Sequence, residues 1–161
     1  MPVKKPSLGY AFPDILDCKA MPLIHLIYVS TANTEYDDAE LDRILAISER
    51  HNASNHVTGM LLYAGGNFMQ VLEGEETAVD ETYNRIARDP RHKDFVVIER
   101  APIKEREFAQ WSMGFRRLEK PDAAAHPSYT AFFGPGFDAA QIGARSGLAM
   151  EVLRDFSLSV R

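Results

Sequence analysis

The stretch HVTGMLLYAGGNFMQVLEG, His56 to Gly74, leaves this chain few folds to choose from. Its two apolar runs, 57–63 and 67–73, read as strands, and the Ala-Gly-Gly-Asn between them is hairpin chemistry. Gln70 interrupts the second run with two N–H donors and an accepting oxygen. Burying that amide without partners costs about 1–3 kcal/mol. A partner for Gln70 is therefore the first thing the fold must explain.

Elements on either side of the hairpin extend the pattern. IHLIYVS (24–30) is a nearly continuous apolar run with β-branched residues, as expected of a strand buried on both faces. Asn33, Thr34 or Asp37 offers a cap for a helix over 37–51, in which Leu41, Ile44, Leu45 and Ser48 share one face. EETAVDETYNRIARDP gives a second helix with Val79, Tyr83 and Ile86 on its stripe and Pro90 at its stop. FVVIERAPI (95–103) and EFAQWSMGFRRL (107–118) read as a fourth and a fifth strand. The order βαββαβ plus one strand predicts an α+β, ferredoxin-like sheet with both helices on one face. Residues 1–21 are a Pro-interrupted arm, 22–119 form the domain, and 120–161 form a C-terminal helical extension. That extension is expected to hold a short helix near 127–133. A last helix from Asp138, with Leu148, Val152 and Phe156 at i, i+4 and i+8, would cap the other face or meet a partner.

Charge and composition narrow the function classes. The net charge of -5 lacks the basic footprint of a nucleic-acid surface. No apolar run approaches the ~20 residues that span a bilayer, and the N-terminus lacks the continuous apolar segment of a signal peptide. The single cysteine, Cys18, excludes an internal disulfide and a CxxC metal site. A cytoplasmic setting is the expectation.

Alternation along the strands puts Tyr28 and Gln70 on the same side, beneath the two helices, and Trp111, Met113 and Phe115 on one face of the fifth strand. Singly, each polar residue has an ordinary structural reading. A buried Gln finds backbone partners, Asn52 serves as a helix C-cap, and Arg85 with Asp89 forms an i, i+4 surface pair. His51, His56 and His92 show no metal-ligand spacing.

Together, IHLIYVS, HNASNHVTGMLLYAGGNFMQVLEG, RDPRHKDFVVI and FAQWSMGF resemble the BLUF family of flavin-based blue-light sensors, over about residues 23–118. The resemblance implies a flavin held between the two helices, with Ile44 and Ile86 sandwiching the ring. Asn52 would bind the ring's C4 carbonyl and N3 edge, Arg85 and Asp89 its O2/N3 side, and Arg91 and His92 would lie near the ring and tail. Tyr28 and Gln70 match the signalling couple, Tyr28 giving an electron and a proton and Gln70 relaying the proton and then rearranging to a red-shifted state. Trp111 and Met113 match the switch-strand neighbours of the glutamine. FAD is the family's usual flavin, with FMN or riboflavin as alternatives. The implied protein is a sensor, not an enzyme, that signals through a homo-oligomer or a separate downstream protein. The competing classes are a small ferredoxin-like enzyme and a ligand-binding module without photochemistry. The loop Thr-Ala-Asn-Thr-Glu after the first strand lacks the anion-cradling Arg of an acylphosphatase-like site, and no GxGxxG is present.

Overall fold

The computed structural model describes residues 22–34, 36–118 and 147–157. Within them the order is β1 (Leu23–Ala32), α1 (Asp38–Ser54), β2 (Thr58–Ala64), β3 (Asn67–Glu75), α2 (Glu76–Ala87), β4 (His92–Pro102), β5 (Gly114–Arg117) and α3 (Leu148–Ser157). The strands form one sheet in the order β4-β1-β3-β2-β5. β1 runs antiparallel to β3 and β4, β2 runs antiparallel to β3, and β5 lies parallel to β2 at the edge. This is the ferredoxin-like α+β plan with an added strand.

Local chemistry accounts for the elements. The β2–β3 turn closes with Ala64 opposite Asn67, and Gly65 and Gly66 take φ of 54° and 88°, the left-handed pair that a two-residue type I′ turn demands. Of the three candidate caps, Asp37 is the one used. Its side chain accepts from Glu40 N at 2.9 Å while Glu40 Oε1 accepts from Asp37 N at 3.1 Å, a reciprocal capping box. β1 is buried along nearly its whole length, as its unbroken apolar run predicts.

The two faces of the sheet are covered differently. On one, α1 and α2 pack over Ile24, Leu26, Tyr28, Leu61, Phe68 and Leu72. On the other, Val152, Leu153 and Phe156 of α3 close over Ile27, Met60, Leu62, Met69 and Val71. The helix near 127–133 and the stretch 138–146 of the last helix fall outside the described residues, as does the arm over 1–21.

The fifth strand is a correction. A strand was expected over 107–118, but only Gly114–Arg117 pair with β2. Residues 106–113 instead wrap the end of the β2–β3 pair, so Trp111, Met113 and Phe115 do not share a face. Trp111 packs with Phe108 on the α3 side, ring centroids 6.2 Å apart and nearly parallel, whereas Met113 and Phe115 join the α1/α2 side. Gly114 makes the crossing feasible: a Cβ there would lie 2.9 Å from both Met60 Sδ and the Trp111 ring.

Candidate functional site

Between α1 and α2, above the centre of the sheet, lies a cavity of about 190 Å³. The pairing register places its floor. Tyr28 on β1 stands opposite Gln70 on β3, which stands opposite Leu61 on β2, and all three side chains line the cavity. Its walls are Ile44 and Ile47 of α1 and Ile86 of α2, and its rim carries Arg85, Asp89, Arg91 and His92.

Gln70 finds its partners here. The Tyr28 hydroxyl donates to Gln70 Oε1, and Gln70 Nε2 donates to Met113 Sδ at 3.2 Å. The amide is 3% exposed, so both ends work in a dry environment. Thioether sulfur is a weak acceptor, which leaves the nitrogen end the looser of the two. Burial holds the Tyr28 phenol protonated far above its ordinary range, with Tyr83 and Asp89 adding to the effect. Tyr83 meets the Tyr28 ring edge-on at 5.3 Å and Phe95 lies at 5.5 Å, fixing the ring's orientation.

Among the described residues, one rim arginine is ion-paired and the other is not. Asp89 does not pair with Arg85, as their i, i+4 spacing suggested. It accepts from the backbone N of Arg91 at 2.9 Å and pairs with the Arg91 guanidinium at 2.6 Å. That bond holds the Asp89 carboxyl below its usual value. Arg85 makes no ion pair among the described residues, and partial burial lowers its guanidinium's pKa. His92 shares a hydrogen bond between Nδ1 and Ser30 Oγ at 3.1 Å, and desolvation pushes its pKa below the ordinary histidine value.

Asn52 is not a C-cap. The helix runs on to Ser54, the left-handed residue is His56 with φ of 58°, and Asn52 is 1% exposed. Its Nδ2 donates to Ser112 O at 2.8 Å, so it grips the segment leading to Met113 and does not line the cavity. Trp111 lies across the sheet from Gln70. Tyr36, Ile47, Ser48, His51, Leu61 and Phe68 also line the cavity without having been singled out for it. Phe68 carried a usable signal, since strand alternation puts it on the same face as Gln70, two residues away.

A flat apolar ring with polar edges suits this arrangement: branched aliphatic walls, an amide with a loosely held N–H end, and a rim arginine with no ion pair among the described residues. The comparisons with known proteins agree. The BLUF family model, "Sensors of blue-light using FAD", matches residues 23–114, more than half of the chain. The chain belongs to the BLUF family and is a blue-light photoreceptor of that class, with a flavin as its chromophore. Among characterised relatives, the photoactivated adenylate cyclase subunit beta of Euglena longa is 38% identical over 104 residues, 64% of this chain and 12% of that protein. Subunit alpha from Euglena gracilis is 44% identical over 84 residues, 52% of this chain and 8% of that one. The chain thus spans about an eighth or less of these relatives. Among solved structures, the dark state of the BLUF protein BlrB aligns with a TM-score of 0.60 at 29% identity, covering 77% of this chain and 97% of that one. Photo-activated BlsA aligns with a TM-score of 0.69 at 24% identity, covering 85% and 96%, a likeness of fold. No helix among the described residues is long and apolar enough to cross a membrane.

Proposed function

We propose that Tyr28, Gln70 and Met113 form the light switch of this photoreceptor and that its flavin is FAD. The observation that carries the reading is the two-ended hydrogen bonding of Gln70 at the cavity floor, to a phenol on one side and a thioether on the other. A bound flavin supplies blue-light absorption and, once excited, oxidising power. Ile44 and Ile86 would hold its ring from the two helices. Arg85, His92 and the Asp89–Arg91 pair would meet its polar edge and tail, while Asn52, which does not line the cavity, would act by holding Ser112 beside Met113.

Tyr28 holds a proton on a phenol that burial keeps neutral, already aimed at the Gln70 amide oxygen. Were the phenol to give an electron to the excited flavin, its proton could pass along the existing bond to the Gln70 oxygen with no movement of the backbone. Gln70 can exchange donor and acceptor ends by turning about its last torsion, because its amide is acceptor at one end and donor at the other. Turned over, its oxygen faces Met113, which accepts hydrogen bonds weakly and donates none, so the methionine is released from the amide. Strain then reaches β5 and the C-terminal extension, which passes it to a second copy of the chain or to a separate protein. The domain works without turnover, as a sensor, and its setting is cytoplasmic.

Absorption spectra of purified protein before and after blue illumination test the reading. The expected result is a yellow protein whose flavin bands move to the red and return in the dark. Gln70→Leu is expected to keep the pigment and lose the movement. Full photoresponse in that variant would sink the switch.

A further inference from the structure

Glu73 is a fully buried carboxylate that the light switch does not use. It lies three residues beyond Gln70 on β3 but points to the opposite face of the sheet, at 0% exposure. A charge taken out of water must be met by donors. Three converge on it: Thr58 Oγ1 at 2.9 Å and Phe108 N at 3.0 Å on Oε1, and Glu107 N at 2.7 Å on Oε2. Arg106 reinforces the set, with Nη1 donating to Thr58 Oγ1 at 3.0 Å and to the Glu73 carbonyl at 3.1 Å.

These bonds stand where a β-ladder is missing. Between the end of β4 and the start of β5, residues 106–113 have no strand partner. They are held at one end by Glu73 and at the other by Gly59 N to Trp111 O at 3.2 Å and Asn52 Nδ2 to Ser112 O at 2.8 Å. Met113, which accepts from Gln70, follows directly. The Glu107 side chain, next to the amide that Glu73 binds, meets Arg154 of α3 at 3.1 and 3.3 Å.

We infer that Glu73 is a positioning residue of the photoswitch: its buried carboxylate sets the segment 106–113, and through it the distance from Met113 to Gln70. The inference rests on the proposed Gln70–Met113 switch for its consequence in light, but its structural core can be read in the dark. Charge-assisted bonds of this kind are stronger than neutral ones. Glu73→Gln keeps the shape while turning one acceptor into a donor that opposes a backbone N–H.

The test uses the full chain with flavin bound and 13C-methyl-labelled methionine, the Met113 signal being assigned with Met113→Leu. In the dark, Glu73→Gln is expected to move the Met113 methyl resonance and to cut hydrogen-exchange protection at the Glu107 and Phe108 amides by about tenfold or more. After illumination it is expected to keep the red-shifted bands but return from them at a rate changed several-fold. Thr58→Val, which removes one donor without altering volume, is expected to shift the methyl and the recovery in the same directions by less. That variant decides the matter if Glu73→Gln does not fold. An unmoved Met113 methyl with unchanged recovery in the folded variants would overturn the inference and leave Glu73 a clamp of the loop alone. Gln70→Leu separates the two ideas, since failure of the switch removes the spectral shift itself, whereas loss of Glu73 alters only its lifetime.

Discussion

The two faces of this sheet use the same strands for opposite ends. On the α3 side, Val152 and Leu153 are completely buried against Met60, Leu62, Met69 and Val71, and the one buried carboxylate there, Glu73, has its donors within the chain. On the α1/α2 side, the helices pack on the sheet but leave a cavity between them. Ile44 and Ile86 are only partly buried, Ile47 is 40% exposed, and the floor carries a tyrosine and a glutamine. One face is a finished core. The other is a core that a ligand completes, which explains how a small domain gives up packing at a binding site and stays folded.

That contrast can be broken in graded steps. Leu153→Ala on the closed face is expected to cost about 2–5 kcal/mol in a denaturant titration, because the pocket it leaves cannot collapse. Its light-induced spectral shift is expected to survive. Stripping the flavin acts on the other face. At ligand a hundredfold over its dissociation constant, about 2.7 kcal/mol of stability is expected to disappear on removal. Hydrogen exchange is expected to rise in α1 and α2 while α3 keeps its protection. Tyr28→Phe leaves the Gln70 oxygen without its donor, at a cost of about 1–2 kcal/mol, and is expected to abolish the light response with the pigment retained. If its stability falls as far as that of Leu153→Ala, the two faces are less independent than their packing indicates.

The smallest effect is on pH. The His92 pKa lies below its ordinary value because the ring is desolvated, with Arg91 adding to this and Asp89 opposing it. The unfolded chain therefore takes up that proton first, and stability is expected to fall as pH drops below about 6.5. The Asp89 carboxyl is held low by Arg91 and stays ionised through that window. Its own contribution is lost only at more acid pH. His92→Gln is expected to flatten the slope near neutrality in thermal melts at stepped pH.

Which parts were legible in the sequence follows from how local their causes are. The hairpin is written in Gly65 and Gly66, the first helix in Asp37 and Glu40, and β1 in its unbroken apolar run. The pairing of Tyr28 with Gln70 was accessible because strand alternation is strict. The segment 106–113 was misread because its residues alternate like a strand while its backbone donors go to the side chain of Glu73, thirty-odd positions away, and periodicity carries no trace of such a partner. Asn52 misled for a related reason: a long-range bond to Ser112 decides its role, and a helix-end rule sees only neighbours. The same holds for Asp89, where Arg91 outcompetes the helical spacing to Arg85 because it offers both a backbone and a side-chain donor.

The loops that precede α1 and β4 are stitched together beside the cavity that Tyr36 and Arg91 line. Asn33 N donates to Arg91 O at 3.0 Å, the Asn33 side chain donates to Pro90 O, and the Tyr36 hydroxyl also donates to Arg91 O. A chromophore held beside such a seam is expected to exchange with free pigment faster once Asn33→Ala removes one of its stitches.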